Sequence, residues 1–438
     1  MRGRHTLLFF FVILLLGCEA SLAATTDTLR LTLNDALARA QQANLQLRAS
    51  TEGVEQAVLA VREKYGALLP SFDASGVYNR HLKKPVIFLP EGSPMGNVLE
   101  LGSDNSFQAT FSAKLPLFAL PLYQQISVAK TDLRIAQETE RGARVALDAD
   151  LRLAFANALL AQASQKVVGA TLLRAEETLQ RLKNLSSQGM ASDYDRIRAE
   201  VQVSNLRPVV LQANAGAEVA LLTLRLMVGV PDSIPVTPVG SLDSMLQGLP
   251  TTPLLAGELN NSSVRLLSLQ EDKLEGQRKL VRAAHFPLLS AFASYQWQTQ
   301  ANNFEFSKYR WVDISLVGLQ LSVPLFAGFT KYHQEQQLKV GIRRMQFQRQ
   351  YTVQQLHNQQ HVLSEQMNAA RASMQASQAA QALAEQGVVI ARGRYQVGAA
   401  TLLELNDAEM ALTQASLNYL KAEFDYIKLR LDLEKMTR

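Results

Sequence analysis

Two periodicities divide the chain. Apolar residues recur at helical spacing from about Asn34 to Tyr65, and after Pro70 the pattern changes to strict alternation. In "FDASGVYNR", Phe72, Ala74 and Tyr78 fall on one side and Asp73, Ser75 and Asn79 on the other. "FQATFSAKL" alternates more cleanly, with Phe107, Ala109, Phe111, Ala113 and Leu115 opposite Gln108, Thr110, Ser112 and Lys114. "LLSAFASYQWQ" and "VDISLVGLQLSV" repeat the pattern more roughly, and a phase slip at Val317 and Gly318 predicts a bulge. Four strands are expected, at about 71–80, 106–115, 288–298 and 311–323, with helices elsewhere.

The second half is a copy of the first. Pro70 pairs with Pro287 at an offset of 217, and Pro116 with Pro324 at 208. Gly189 with Gly398 and Glu200 with Glu409 follow at 209, so the first half carries about nine extra residues between Pro70 and Pro116. Each unit reads helix, strand, strand, helix. The words "LPLF" and "VPLF" mark the strand-to-helix junctions, where a missing N–H is tolerated. The units are expected at 24–228 and 258–438, joined by a Pro/Gly-rich connector over 229–257 that reads as an irregular link or a small girdle.

From Thr330 to Gly398 no proline interrupts the helical text, which implies a rod of about 100 Å. The helix after Gly398 carries two apolar seams. Ala408, Leu412, Ala415, Tyr419, Ala422, Tyr426, Leu429 and Leu433 form one, and Leu403, Met410, Leu417, Leu420, Phe424, Ile427 and Leu431 the other. A helix with two seams has two neighbours, and a ring of such helices closes into a tube. In the first unit the first seam persists with smaller residues, while the second is interrupted by Pro208 and Glu218, and Pro208 should bend or loosen its helix.

Composition and charge narrow the function. Lys and Arg are spread along a chain of formal charge +5 with no basic block, so no nucleic-acid partner is expected. Arg2, Arg4 and His5 precede an apolar run from Leu7 to Leu16, the form of a secretory signal over residues 1–23. No later apolar segment of comparable length predicts a transmembrane helix. Cys18, in "LLGC", sits as in a lipidation site, whereas "SLA" ending at Ala23 fits ordinary cleavage; the two readings remain open. With one cysteine no internal disulfide forms.

An alternating sheet also suits a soluble protein with one wet face. Here the strands match the roughly 9–11 residues that a tilted strand needs to cross a bilayer. Tyr78, Phe107, Trp297, Tyr309 and Trp311 gather near the hairpin loops, as an interfacial aromatic girdle would. Four strands cannot close a barrel, and open edges in hydrocarbon cost several kcal/mol for each unpaired group. The barrel must therefore be shared, and three copies supply twelve strands. The alternative is a secreted periplasmic coiled-coil scaffold or binding protein without a pore.

The duplicated layout, "LPLF" and "VPLF", and the passage "RYQVGAATLLELNDAEMALTQASLNYLKAEFDY" resemble the outer-membrane factor family, the TolC-like exit ducts of Gram-negative efflux pumps and type I secretion systems. The resemblance spans essentially the whole mature chain. It implies a mainly α fold with a small β part: long coiled-coil helices in a trimeric α-barrel, continued by a shared twelve-stranded transmembrane β-barrel with four strands per chain. It further implies a passive conduit in the outer membrane, reaching into the periplasm, whose partners are a periplasmic adaptor, an inner-membrane pump and outer-membrane lipid.

Two helix-to-helix turns share one pattern: Gly189, Ser192, Asp195 and Gly398, Thr401, Glu404. Glycine ends one helix, Ser or Thr caps the next, and the acid completes a capping box. By resemblance, Glu404 and Asp407 fall where the family places acidic rings at the periplasmic gate, and Asp195 with Tyr395 where it ties neighbouring helices shut. The turns at Gly189, Ser192, Gly398 and Thr401 would meet the adaptor. An arginine expected from the family near the second turn is Ala400 here, which points to a differently built lock.

His357 and His361 stand at metal-binding spacing but lack a third ligand nearby, and no phosphate loop or nucleophile motif occurs. No enzyme activity, cofactor or metal is expected.

Overall fold

In a computed structural model of the chain, residues 28–437 are described except Ser93, Asp232 and 250–260. The signal segment with Cys18, and residues 250–257 of the connector, lie outside the described residues. The chain divides into two compact units, one built from residues 1–45, 147–253 and 364–432, the other from 46–146, 254–363 and 433–438.

The second of these units holds the sheet. Its strands β2 (Ser71–Arg80), β5 (Asn105–Phe118), β7 (Leu288–Ala301) and β8 (Val312–Ser322) lie in the order β2-β5-β7-β8, each antiparallel to the next. A small hairpin, β3 (Val86–Phe88) with β4 (Val98–Glu100), occupies the β2–β5 connection, where the first half has its extra residues. Helix α2 (Leu45–Gly66), the first part of α3 (Leu120–Ser187), α6 (Ser262–Ala283) and the first part of α7 (Thr330–Gln396) complete the unit. Arg141 and Arg265 both approach the buried Glu138 of α3, and Arg141 also reaches Ser262 at 2.9 Å, fastening α6 to α3.

The phase slip in the second hairpin has a different origin from the expected one. Register between β7 and β8 runs unbroken through Ala293↔Val317 and Phe292↔Gly318, so the phase slip is not a bulge. Gly318 is there for space: a Cβ on it would lie 2.8 Å from Cζ of Phe292. Without a bulge the side chains keep their faces, and the apolar set of β8 changes sides. Gly318→Val is expected to lower the yield of folded protein in the membrane, an overpacking cost of about 1–3 kcal/mol. Adding Phe292→Ala should restore it, whereas failure of that rescue would remove the steric explanation.

The irregularity falls instead between Pro116 and Phe118, where proline cannot donate to the ladder. The strand nevertheless continues to Phe118, and α3 starts at Leu120. The matching word in the second half behaves differently. After Pro324 the chain turns through Gly328 (φ 60°) and Phe329 (φ 59°) before α7 begins at Thr330. In the position of Phe329 the first half has Pro121, whose fixed φ suits the first helical turn.

The other unit is organised around a core that includes Leu31, Ala36, Leu151, Phe155, Leu224, Val236, Met245 and Ile427. Helices α1 (Leu33–Ala43), α4 (Asp193–Val228) and α8 (Leu402–Thr437, through residue 432) contribute, with the later parts of α3 and α7. The helical text read as one run from Asn34 breaks at Asn44, which caps α1 in an extended conformation. The stretch after α4 is ordered: β6 (Val236–Pro238) pairs in parallel with β1 (Leu29–Leu31), and α5 (Leu242–Gly248) buries Leu242 and Met245. Pro208 lies inside α4, which continues through it. By length and composition α4 could cross a bilayer, a feature absent from the sequence expectations. Its Ala199, Val203, Ala217, Ala220 and Leu224 are buried within the unit.

Candidate functional site

The tip turns are set by backbone chemistry. Gly189 (φ 71°) and Gly398 (φ 74°) adopt the left-handed conformation that ends a helix without a Cβ penalty. At the second turn the box forms in full: the Glu404 N–H donates to Thr401 Oγ1 and the Thr401 N–H to Glu404 Oε2, each at 3.3 Å. At the first, Ser192 caps α4 by accepting from the Tyr194 N–H at 3.1 Å, and its neighbour Asp193 bonds Ser186 and Arg196. Thus the acid bound at that turn is Asp193, not Asp195.

Among the named gate residues, Glu404 and Asp407 are both exposed, one turn apart on α8. Asp195 and Tyr395 are brought together. Tyr395 packs against the cluster of Leu179, Leu182 and Ala199, and its phenol pKa is raised by burial and by the Asp195 charge, with Arg181 opposing. In place of the arginine expected at Ala400, Arg394 donates to the Ala399 carbonyl at 3.0 Å and ties the turn from the helix before it. Arg392 reaches across to the buried Glu409 at 3.1 Å, joining α7 to α8.

Glu409 belongs to a feature the apolar seams hid. Glu409, Ser416 and Glu423, seven residues apart on α8, are all buried. Near Ser416, Thr413 and Thr171 share a hydrogen bond of 2.8 Å between α8 and α3. Glu423 is 1% exposed, and its Oε1 has no hydrogen-bond partner. Its carboxyl bonds Asp243 of α5, which also accepts from the Tyr419 hydroxyl at 3.2 Å. Burial, then the Asp243 charge, pushes the Glu423 pKa up to about 8, and burial with the two carboxylates pushes Tyr419 up to about 12. At neutral pH Glu423 therefore holds its proton.

The second seam of α4 is uncovered within the chain. Tyr194, Val201, Leu211 and Leu222 occupy the positions equivalent to Leu403, Met410, Leu420 and Leu431, and all four are exposed. Although Pro208 and Glu218 interrupt it, such an apolar stripe fits a neighbouring helix better than water.

The sheet has two chemically different faces, because residues paired across strands share a face. One carries Phe72, Ala74, Phe111, Ala113, Ala293, Tyr295, Trp297 and Leu319; the other carries Asp73, Ser75, Thr110, Ser112, Lys114, Ser294 and Gln296. The apolar face is solvent-facing in the single chain, with Phe72 78% exposed and Leu319 68%. At the loop end, aromatic rings interlock. Tyr78 stacks on Phe107 at 4.8 Å, Phe107 meets Phe306 and Tyr309, and Phe111 lies edge-on to Trp297 at 5.9 Å. Trp311 is exposed beside this cluster in sequence. Edge strands β2 and β8 each have one free side among the described residues.

His357 and His361 are exposed on α7, and no group of three or more His, Cys, Asp or Glu residues is placed to hold a metal among the described residues.

Comparison with known proteins agrees with this arrangement. The family model for outer membrane efflux protein matches residues 258–437. The alkaline protease secretion protein AprF of Pseudomonas aeruginosa is 24% identical over 373 residues, covering 82% of this chain and 75% of that protein. The cobalt-zinc-cadmium resistance protein CzcC of Cupriavidus metallidurans is 25% identical over 303 residues, 68% of each. In fold, the chain is similar to CusC (TM-score 0.72, 17% identity, 92% of this chain and 91% of that one). It is likewise similar to the Campylobacter jejuni CmeC outer membrane channel (TM-score 0.70, 16% identity, 92% and 85%). Residues 258–437 thus match the outer membrane efflux protein family, and in its duplicated helix-strand-strand-helix order and two-faced sheet the chain as a whole is similar to outer-membrane channels.

Proposed function

We propose that this chain is the outer-membrane exit duct of a tripartite efflux pump or a type I secretion system, a passive conduit that three copies build together. The observation that carries the reading is the sheet: an exposed apolar face, an aromatic end, and two edges unpaired among the described residues. Those edges cannot stand in lipid, and joining β8 of one copy to β2 of the next removes both at once. The uncovered α4 stripe is the matching helical requirement, since each copy then offers its second seam to a neighbour. The units proposed for the chain are the two repeats, 24–228 and 258–438, joined by the connector.

A periplasmic adaptor and an inner-membrane pump supply recognition and energy. The Gly189 and Gly398 turns are the surface for the adaptor, and Glu404, Asp407 and the Asp195–Tyr395 contact form the gate. CzcC and AprF are named for metal resistance and protease secretion; this chain's cargo is set by its pump.

The scaffold reading is disfavoured by the exposed apolar sheet, which would precipitate a soluble protein. Fractionation decides between them. The duct is expected wholly in outer membranes, released only by detergent, and trimeric by sedimentation in that detergent. Recovery as a monomer in the periplasmic wash would sink the proposal.

A further inference from the structure

The upper half of β8 departs from its own repeat. In β5 the polar face at the loop end carries Ser106 and Gln108; the equivalent β8 positions, 208 residues on, are Ile314 and Leu316, preceded by Val312 on the same face. Register through Gly318 is intact, so these three side chains stand on the polar face of the sheet and are exposed in the single chain. In the trimeric duct that face looks into the lumen, and lipid is unavailable to cover it.

A second exposed apolar surface lies at the same end of the sheet. The β3–β4 hairpin places Val86, Phe88 and Val98 on one face beside Glu100, all exposed, with Phe88 at 78%, and Leu82 leading into it is 92% exposed. The hairpin follows β2, at the opposite edge of the sheet from β8.

The internal repeat says how the two edges meet between copies. The β5–β7 pairing joins the first half to the second, and the β8–β2 pairing between copies is its repeat equivalent. Shifting Ser112↔Ser294 by the two strand offsets, 208 and 217, gives Gln320 opposite Val77 of the next copy. Gln108↔Gln298 gives Leu316 opposite His81, and Ser106↔Gln300 gives Ile314 opposite Lys83. The apolar part of β8 is thereby level with the segment that leads into the neighbour's hairpin.

Resting on the trimer reading above, we infer that the β3–β4 hairpin of each copy docks on Val312, Ile314 and Leu316 of the adjacent copy, forming three apolar clasps at the outer mouth of the barrel. The extra residues of the first half and the altered pattern of β8 are then two sides of one contact. Desolvating both surfaces offsets the cost of ordering the hairpin.

The test uses the full-length protein in proteoliposomes. Val77→Cys with Gln320→Cys should form an oxidant-dependent cross-link between copies, while the shifted pair Asn79→Cys with Gln320→Cys should not. In the trimer a thiol introduced by Phe88→Cys should react with a bulky, water-soluble maleimide at least about fivefold more slowly than one introduced by Glu91→Cys in the same connection. Restoring the β5 pattern with Ile314→Ser and Leu316→Gln should bring the two rates together. If the register cross-link forms but Phe88→Cys reacts as fast as Glu91→Cys, or its slow reaction ignores the β8 changes, the clasp is overturned and the trimer stands. A monomer with no cross-link overturns both.

Discussion

Raising the pH from 5 to 8 is expected to destabilise the protein through one side chain, Glu423, and Glu423→Gln is expected to abolish most of that loss. The carboxyl is buried beside Asp243, and its pKa is pushed from an ordinary 4.5 to about 8. Between those values the folded chain holds a proton that the unfolded chain has released. Stability therefore falls as pH rises, by about 1.4 kcal/mol per pH unit at most, and levels off above the folded pKa. Glu423→Gln keeps an N–H donor toward Asp243 while removing the titration, so the unfolding midpoint of that variant should change little over the window. Glu423→Ala should flatten the profile too, but at lower stability throughout, because the Asp243 carboxylate loses a partner and a cavity opens. Urea unfolding of the detergent-solubilised protein, followed by helical circular dichroism at several pH values, measures all three. A wild-type profile that stays level or rises from pH 5 to 8 would show that Glu423 is ionised when folded.

That carboxyl also explains a limit of reading this sequence. The mainly helical, duplicated architecture with four strands was legible because alternation and the recurring prolines are local signals that survive without tertiary information. The buried strip of α8 was not. A seam search counts apolar residues, and Glu409, Ser416 and Glu423 repeat every seven positions as polar ones, with Arg392 and Asp243 brought to the two acids from other elements of the fold. The strand β6 escaped for another reason: three residues carry no period, and its partner β1 lies some 200 residues away. In β8 the change of phase was visible, but alternation alone does not separate an inserted residue from a true exchange of faces. The ring of Phe292 over Gly318 decides that, and it belongs to another strand.

At the helix turns the sequence pattern identified the glycines and the caps but treated the acids as equivalent, and their geometry separates them. The Glu404 carboxylate accepts the Thr401 N–H and so closes its own helix, whereas Asp407 is exposed one turn further along and is bound in no ion pair among the described residues. Three copies of Asp407 around an axis would concentrate negative potential with nothing on their own helices to neutralise it. Asp407→Ala is therefore expected to raise single-channel conductance in a planar bilayer at least about threefold by widening the mouth, and to reduce cation selectivity. Glu404→Ala confounds two effects, because it also removes the acceptor of the Thr401 N–H and so weakens the capping box and the turn whatever its charge does. Glu404→Gln separates them: it retains an acceptor for the Thr401 N–H, so a conductance near wild type for Glu404→Gln with a raised one for Glu404→Ala assigns that residue to capping. Unchanged conductance and selectivity in Asp407→Ala would remove the acidic constriction from the proposed gate.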